Sequence, residues 1–182
     1  MSKKFAICGF MGSGKSTVFE VLKSKESLSK FNFKDLDSEI LDLENEASIE
    51  GLVSRIGWDG FRALESRYIS DWAIEDSNKI LGLGGGALNE KIISLFKQRN
   101  IHLIWLKVPF HECLKRIKGT KASRPLLTEK SDEELNSLFE KRQKLYSLSD
   151  SVFENENIEE TVGSLEELIN NHSLGTKGHL NE

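Results

Sequence analysis

The chain has 182 residues, 38% of them hydrophobic and 30% charged, with a net charge of −4. That length fits one domain with a sizeable core, the acidic balance argues against a nucleic-acid partner, and no apolar run approaches the roughly 18 residues of a membrane span. Two cysteines are too few for a disulfide framework or a cysteine-based zinc site, and His102, His111, His172 and His179 lack ligand spacing; a cytoplasmic protein without membrane partners is expected.

The first element expected is a buried strand over Lys4 to Cys8 (KFAIC), with Cys8 filling core. It runs into Gly9 to Thr17 (GFMGSGKST), where Gly, four residues and then Gly-Lys-Ser make the phosphate-binding P-loop pattern. Val18, Val21 and Leu22 follow at helical spacing, so the pattern sits between a strand and a helix, as it should. Gly12 and Gly14 let backbone N–H groups turn inward on an anion at a helix N-terminus. Lys15 can reach the β- and γ-phosphates, and the Ser16 hydroxyl can ligate Mg²⁺. A nucleoside triphosphate is therefore the expected ligand. The loop serves ATPases, GTPases, kinases and switches alike, so it names no reaction.

Phe31 to Asp35 reads as a second strand, running into Asp35 and Asp37. Leu41, Ile49, Leu52 and Val53 carry a helical rhythm that predicts one helix from Ile40 to Ile56, and Phe61, Leu64, Tyr68, Ile69 and Trp72 predict another. Asn78 to Leu83 is a strand ending in Gly84, Gly85 and Gly86. A helix over 89–99 precedes a strongly apolar strand from Ile101 to Val108. His111 to Lys118 and Asp132 to Leu145 read as helices, Ser151 to Phe153 as a short edge strand, and Ile158 to Asn170 as a closing helix. Residues 172–182 lack apolar periodicity and are expected to form a disordered tail, leaving 1–171 as a single domain. Such alternation implies a parallel sheet with helices on both faces, a three-layer α/β/α arrangement.

In open α/β sheets, ligands collect beyond the carboxyl ends of the strands. The P-loop, the Asp35/Asp37 pair and the three glycines sit at those ends. Two acidic residues at i and i+2 point the same way if the strand stays extended. One can then hold Mg²⁺ through water while the other accepts a hydroxyl proton, as phosphoryl transfer to an alcohol requires. A solvated acidic turn would give the same spacing. Three glycines after an apolar strand let backbone N–H groups approach a ligand closely, though a flexible turn would also use them.

Taken in order, Gly9 to Thr17, Asp35-x-Asp37, Gly57-x3-Phe61-Arg62-x2-Glu65, Leu83 with Gly84 to Gly86, Arg124-Pro-Leu-Leu127 and Arg142-x3-Tyr146 resemble the shikimate kinase family, over residues 3 to about 150. The resemblance implies transfer of the ATP γ-phosphoryl group to the 3-hydroxyl of shikimate, in aromatic amino-acid synthesis. It also implies a five-stranded parallel P-loop core of the nucleoside monophosphate kinase type, a lid over ATP at about 118–130, and a shikimate-binding segment at about 37–65. Carried over, Gly12, Ser13, Gly14, Lys15, Ser16 and Thr17 hold the ATP phosphates, and Arg124 reaches them from the lid. Ser16 ligates Mg²⁺, with Asp35 in its outer shell. Asp37 binds the substrate hydroxyls as general base. Arg62 and Arg142 clamp the substrate carboxylate, with the Gly85 N–H as a further donor, and Glu65 orients the arginine. The catalytic set is thus Lys15, Asp37 and Arg124, in an enzyme expected to act as a monomer. On sequence alone, Arg62 could merely pair with Glu65 at i, i+3, and Arg124 and Arg142 could be surface charges.

Four departures stand against the family pattern, one of them a slightly long and polar linker from Lys23 to Lys30. Gly82 occupies a place usually held by Ser or Thr, Trp58 follows Gly57 where the family has Glu, and no basic residue lies in Phe153 to Asn157. Another small-molecule P-loop kinase, such as a gluconate kinase, and a non-catalytic nucleotide-binding module are the alternative readings.

Overall fold

The computed structural model describes residues 2–119 and 130–174. Its elements run β1 (Lys4–Cys8), α1 (Lys15–Lys23), a short 3-10 turn (Glu26–Leu28), β2 (Asn32–Asp35), α2 (Leu36–Glu44), α3 (Ile49–Ile74), β3 (Lys79–Gly82), α4 (Glu90–Gln98), β4 (Ile101–Lys107), α5 (Phe110–Lys118), α6 (Asp132–Tyr146), β5 (Ser151–Glu154) and α7 (Ile158–Leu174). The five strands form one sheet in the order β2-β3-β1-β4-β5, each neighbouring pair parallel. β5 lies at one edge, as expected.

Period-two alternation along β1 explains the layers. Phe5 and Ile7 face one side, packing with Val18, Phe19 and Leu22 of α1 and Val162, Leu165 and Ile169 of α7. Ala6 and Cys8 face the other, against Leu52, Phe61, Ile69 and Trp72 of α3, Ile92, Ile93 and Phe96 of α4, and Tyr146 of α6. Because both faces are covered, β1 reads as a continuous apolar run rather than an alternating one. Each large side chain so buried contributes about 1.5–3 kcal/mol of transfer free energy. This is the three-layer α/β/α fold the sequence implies.

The helix expected from Ile40 to Ile56 is in fact two. α2 closes on Asn45, which is left-handed at φ 52°, and Ser48 caps α3 by accepting from the Gly51 N–H at 3.1 Å. Both helices send apolar residues into the same core, which is why the rhythm runs unbroken across the gap. α3 then kinks at Gly57, whose φ of 72° and ψ of 168° are not helical. The closing helix, expected to end at Asn170, continues to Leu174. Residues 120–129, which include Arg124 and most of the expected lid, lie outside the described residues, as does the chain beyond 174. Among the described residues, no helix is long and apolar enough to cross a membrane.

Strand register sets the position of the site. Ile7 aligns with Gly82, Asp35 with Gly82, and Cys8 with Trp105. The carboxyl ends of β1, β2 and β3 therefore finish level, and the loops that leave them open into one cleft.

Candidate active site

The cleft is a cavity of about 600 Å³. At one end it is lined by Gly12, Gly14, Lys15, Ser16 and Thr17 of the P-loop, with Arg116 of α5; at the other lie Asp37, Trp58, Phe61, Arg62, Glu65, Arg142 and the glycines after β3. A helix N-terminus with its orphan N–H groups thus faces one end, and two guanidinium groups face the other.

The P-loop is held from behind. Gly14 caps α1 in the left-handed conformation (φ 83°), and a Cβ there would meet Asn155 Nδ2 at 2.7 Å. That amide, fully buried just after β5, donates to the Ser13 carbonyl at 2.7 Å. Arg116 in turn donates to the Asn155 carbonyl at 3.3 Å, tying α5 to the same turn. Ser13 is buried and, of the six P-loop residues expected at the phosphates, is the one that does not line the cavity. The Lys15 ammonium donates to the Gly9 and Phe10 carbonyls at 2.7 and 3.0 Å, curled over the loop. Cys8 beneath it is inert core, its thiol pushed up to about 12 by burial.

The two aspartates do not share a strand. β2 ends at Asp35, which caps α2: its Oδ1 accepts from the Ser38 N–H at 3.0 Å and from the Ser38 hydroxyl at 3.2 Å. Asp37 lies in the first turn of α2, so the extended i, i+2 geometry expected from sequence is not what aligns them. The helix sets the two carboxylates apart. Asp35 Oδ2 lies 3.4 Å from the point a Cβ on Gly82 would occupy, whereas Asp37 Oδ1 lies 2.7 Å from the corresponding point on Gly84. Both carboxylates still line the cleft.

The acceptor end is assembled from α2, α3 and α6 around the three glycines. Arg62 Nη2 and Arg142 Nη2 lie 2.5 and 2.9 Å from the position of a Cβ on Gly86, and Arg142 Nη1 lies 3.4 Å from that on Gly85. Residues from distant parts of the chain therefore aim two guanidinium groups at one spot. The Tyr146 hydroxyl donates to the Gly85 carbonyl at 2.5 Å, fixing that peptide. Arg62 stacks on Trp58 and Phe61, with its central carbon 5.3 and 5.4 Å from the ring centroids. Arg142 lies over the Phe10 ring at 5.5 Å, and burial lowers its pKa.

Arg62 Nη1 also bonds Glu65 Oε2. Glu65 is 1% exposed, its Oε1 buried with no hydrogen-bond partner. Burial pushes its carboxyl up to about 7, against the pull of Arg62 and with Asp37 adding to the rise.

Sequence reasoning named Lys15, Asp37, Arg62, Gly85 and Arg142, and all of them line this cavity. It did not single out Arg116 or Asn155. Neither lies in a recognisable motif, and only the packing of α5 against the turn after β5 reveals them.

A family model described as shikimate kinase matches residues 11–172, most of the chain. The chain belongs to the shikimate kinase family. Its curated relatives include shikimate kinases from Persephonella marina, 37% identical with 79% of this chain and 84% of the relative covered, and from Aquifex aeolicus, 35% identical with 86% and 89% covered. Among solved structures, the shikimate kinase of Acinetobacter baumannii in complex with shikimate superposes with a TM-score of 0.80 at 27% identity, covering 96% of this chain and 97% of that one. A deoxyadenosine kinase from M. mycoides shares the fold alone, with a TM-score of 0.58 at 14% identity. The shikimate kinase family thus accounts for the order of motifs, including the arginine pair that no local pattern would have joined.

Proposed function

We propose that this chain transfers the γ-phosphoryl group of ATP to the 3-hydroxyl of shikimate, giving shikimate 3-phosphate and ADP. One observation carries the choice of acceptor: Arg62 and Arg142 meet beside Gly86, with the Asp37 carboxylate beside Gly84, one residue to either side of Gly85. A planar carboxylate suits two guanidinium groups, and a hydroxyl held near Asp37 has a base at hand.

In this scheme the P-loop N–H groups and Lys15 hold the phosphates, the lysine turning from the Gly9 and Phe10 carbonyls to the ligand. Arg116 faces the nucleotide from α5, and Arg124 joins from the lid. Asp37 accepts the proton of the attacking hydroxyl while the two arginines fix the ring by its carboxylate. Transfer needs little covalent help from the protein; positioning and positive charge do most of the work.

Mg²⁺ fits the residues present. Ser16 and Asp35 line the same cavity and offer a hydroxyl and a carboxylate, a donor set too small to enclose an ion and so suited to one shared with substrate phosphates. Ser16 would ligate it directly and Asp35 through water, and the ion would neutralise charge on the β- and γ-phosphates. We read the protein as a monomer, since one chain supplies both ends of the cleft, and as cytoplasmic.

A coupled ADP-release assay with Mg²⁺, ATP and a panel of shikimate, gluconate and nucleoside monophosphates tests this reading. Turnover with shikimate far above the others supports it; preference for another acceptor overturns it.

A further inference from the structure

The acceptor end of the cleft balances two positive against two negative side chains before any ligand arrives. Arg62 on α3 and Arg142 on α6 face Asp37 on α2 and Glu65 on α3, and these are the charged groups that bear on the Glu65 carboxyl among the described residues. The glycine turn adds none. A carboxylate bound by both arginines would bring a third negative charge into this enclosed space.

Glu65 is the group placed to answer it. Oε2 is committed to Arg62, but Oε1 is buried and without a partner. Asp37 Oδ1 and Glu65 Oε1 lie 2.7 and 3.0 Å from one point, the position of a Cβ on Gly84. Both carboxyls therefore face the same small space, where they repel when both are ionised and a proton on one relieves the repulsion. Glu65 is buried where Asp37 is only partly so, so Glu65 is the one placed to take the proton.

We propose that the acceptor carboxylate binds together with a proton, taken up on Glu65 Oε1, making Glu65 a proton-linked positioning residue of the clamp. The inference rests on the carboxylate-bearing acceptor proposed above. Its effects fall in the physiological range, because the Glu65 carboxyl is already held at about 7 by burial. An incoming anion that occupies both arginines raises it further. The sign follows: affinity is full below the Glu65 pKa of the free protein and falls as pH rises through that of the complex. The fall approaches about tenfold per pH unit for one linked proton.

The test is calorimetric titration of shikimate into the full chain, in buffers of different ionisation enthalpy, from about pH 6 to pH 9. Wild type should take up part of a proton, approaching one, per shikimate bound above about pH 7. Glu65→Gln, which carries the neutral group's hydrogen bonds, should take up none and bind with an affinity that does not change with pH. Binding by wild type without proton exchange, or uptake that persists in Glu65→Gln, overturns the inference while leaving the acceptor intact. If the variant does not fold, wild-type affinity decides alone: a flat profile across this range overturns the inference, and a falling one supports it. Absence of shikimate binding at every pH would overturn the acceptor reading, and this inference with it.

Discussion

Replacing Arg62 by lysine separates the two tasks that its planar group performs at once. Nη1 serves Glu65, and Nη2 lies beside Gly86 with Arg142. One ammonium cannot do both. Leaving Glu65, 1% exposed, without its cation costs about 3–5 kcal/mol if it stays ionised. The lysine should therefore remain with Glu65, and the acceptor carboxylate should lose one charge-assisted bond, worth about 1.5–3 kcal/mol. At about 1.4 kcal/mol per factor of ten, kcat/KM for shikimate should fall roughly 10- to 150-fold. A weaker stack on Trp58 and Phe61 adds at most about 1 kcal/mol. The assay is coupled ADP release with shikimate and its methyl ester, on wild type and Arg62→Lys. For wild type the ester should be poorer by about 10⁴-fold, because it leaves buried donors unpaired. The substitution should then hurt the acid and spare the ester. Equal loss on both substrates would refute the clamp, as would a wild-type ester rate within about tenfold of the acid.

Asp37→Asn should lower kcat by about 10²–10⁴-fold, the usual worth of a general base, with ATP affinity kept; near-normal turnover would show that Asp37 only positions the acceptor. Gly57→Ala places a Cβ that meets nothing within 4 Å, so its cost is the backbone at φ 72° and ψ 168°, a region essentially reserved for glycine, about 1–3 kcal/mol. Tm should drop by roughly 2–12 °C, and an unchanged Tm would contradict a fixed kink. Gly82→Ser adds a Cβ at ordinary contact distance from Asp35 and Phe19; thermal denaturation should show Tm unchanged, and a titration of activity against Mg²⁺ should show a lower half-maximal concentration. Glu65 binds its proton more tightly when folded, about 7 against 4.5, so its ionisation removes stability as pH rises between those values. Glu65→Gln lifts that penalty, at most about 3 kcal/mol, so its Tm should gain on wild type at pH 8 relative to pH 5.

What the sequence reveals of the site depends on the range over which each feature acts. The P-loop is legible because glycine spacing, Lys15 and Ser16 act within one turn. The layers are legible because β1 and β4 are near-continuous apolar runs and α3 and α4 carry apolar stripes. The break between α2 and α3 left local marks in Asn45 and Ser48, which the unbroken apolar rhythm masked. The aspartate geometry differs because strand spacing does not extend past Asp35, and Asp35 with acidic Asp37 and Glu39 in the turn that follows is itself a helix-start signal. Arg62 and Arg142 become a pair only through the order of family motifs; their meeting is set by how α3 and α6 pack over the glycine turn. The burial of Glu65 is tertiary in the same way, since an Arg and a Glu three apart on a helix read as an exposed pair.

The account stands on phosphoryl transfer to the shikimate hydroxyl, and mapping the product tests it most directly. The chain is incubated with Mg²⁺, ATP and shikimate, and phosphorus–proton coupling locates the new phosphate. The account predicts one phosphate on the 3-oxygen and one ADP formed per phosphate placed. Release of ADP without phosphorylated shikimate, or a phosphate on another oxygen, would contradict it.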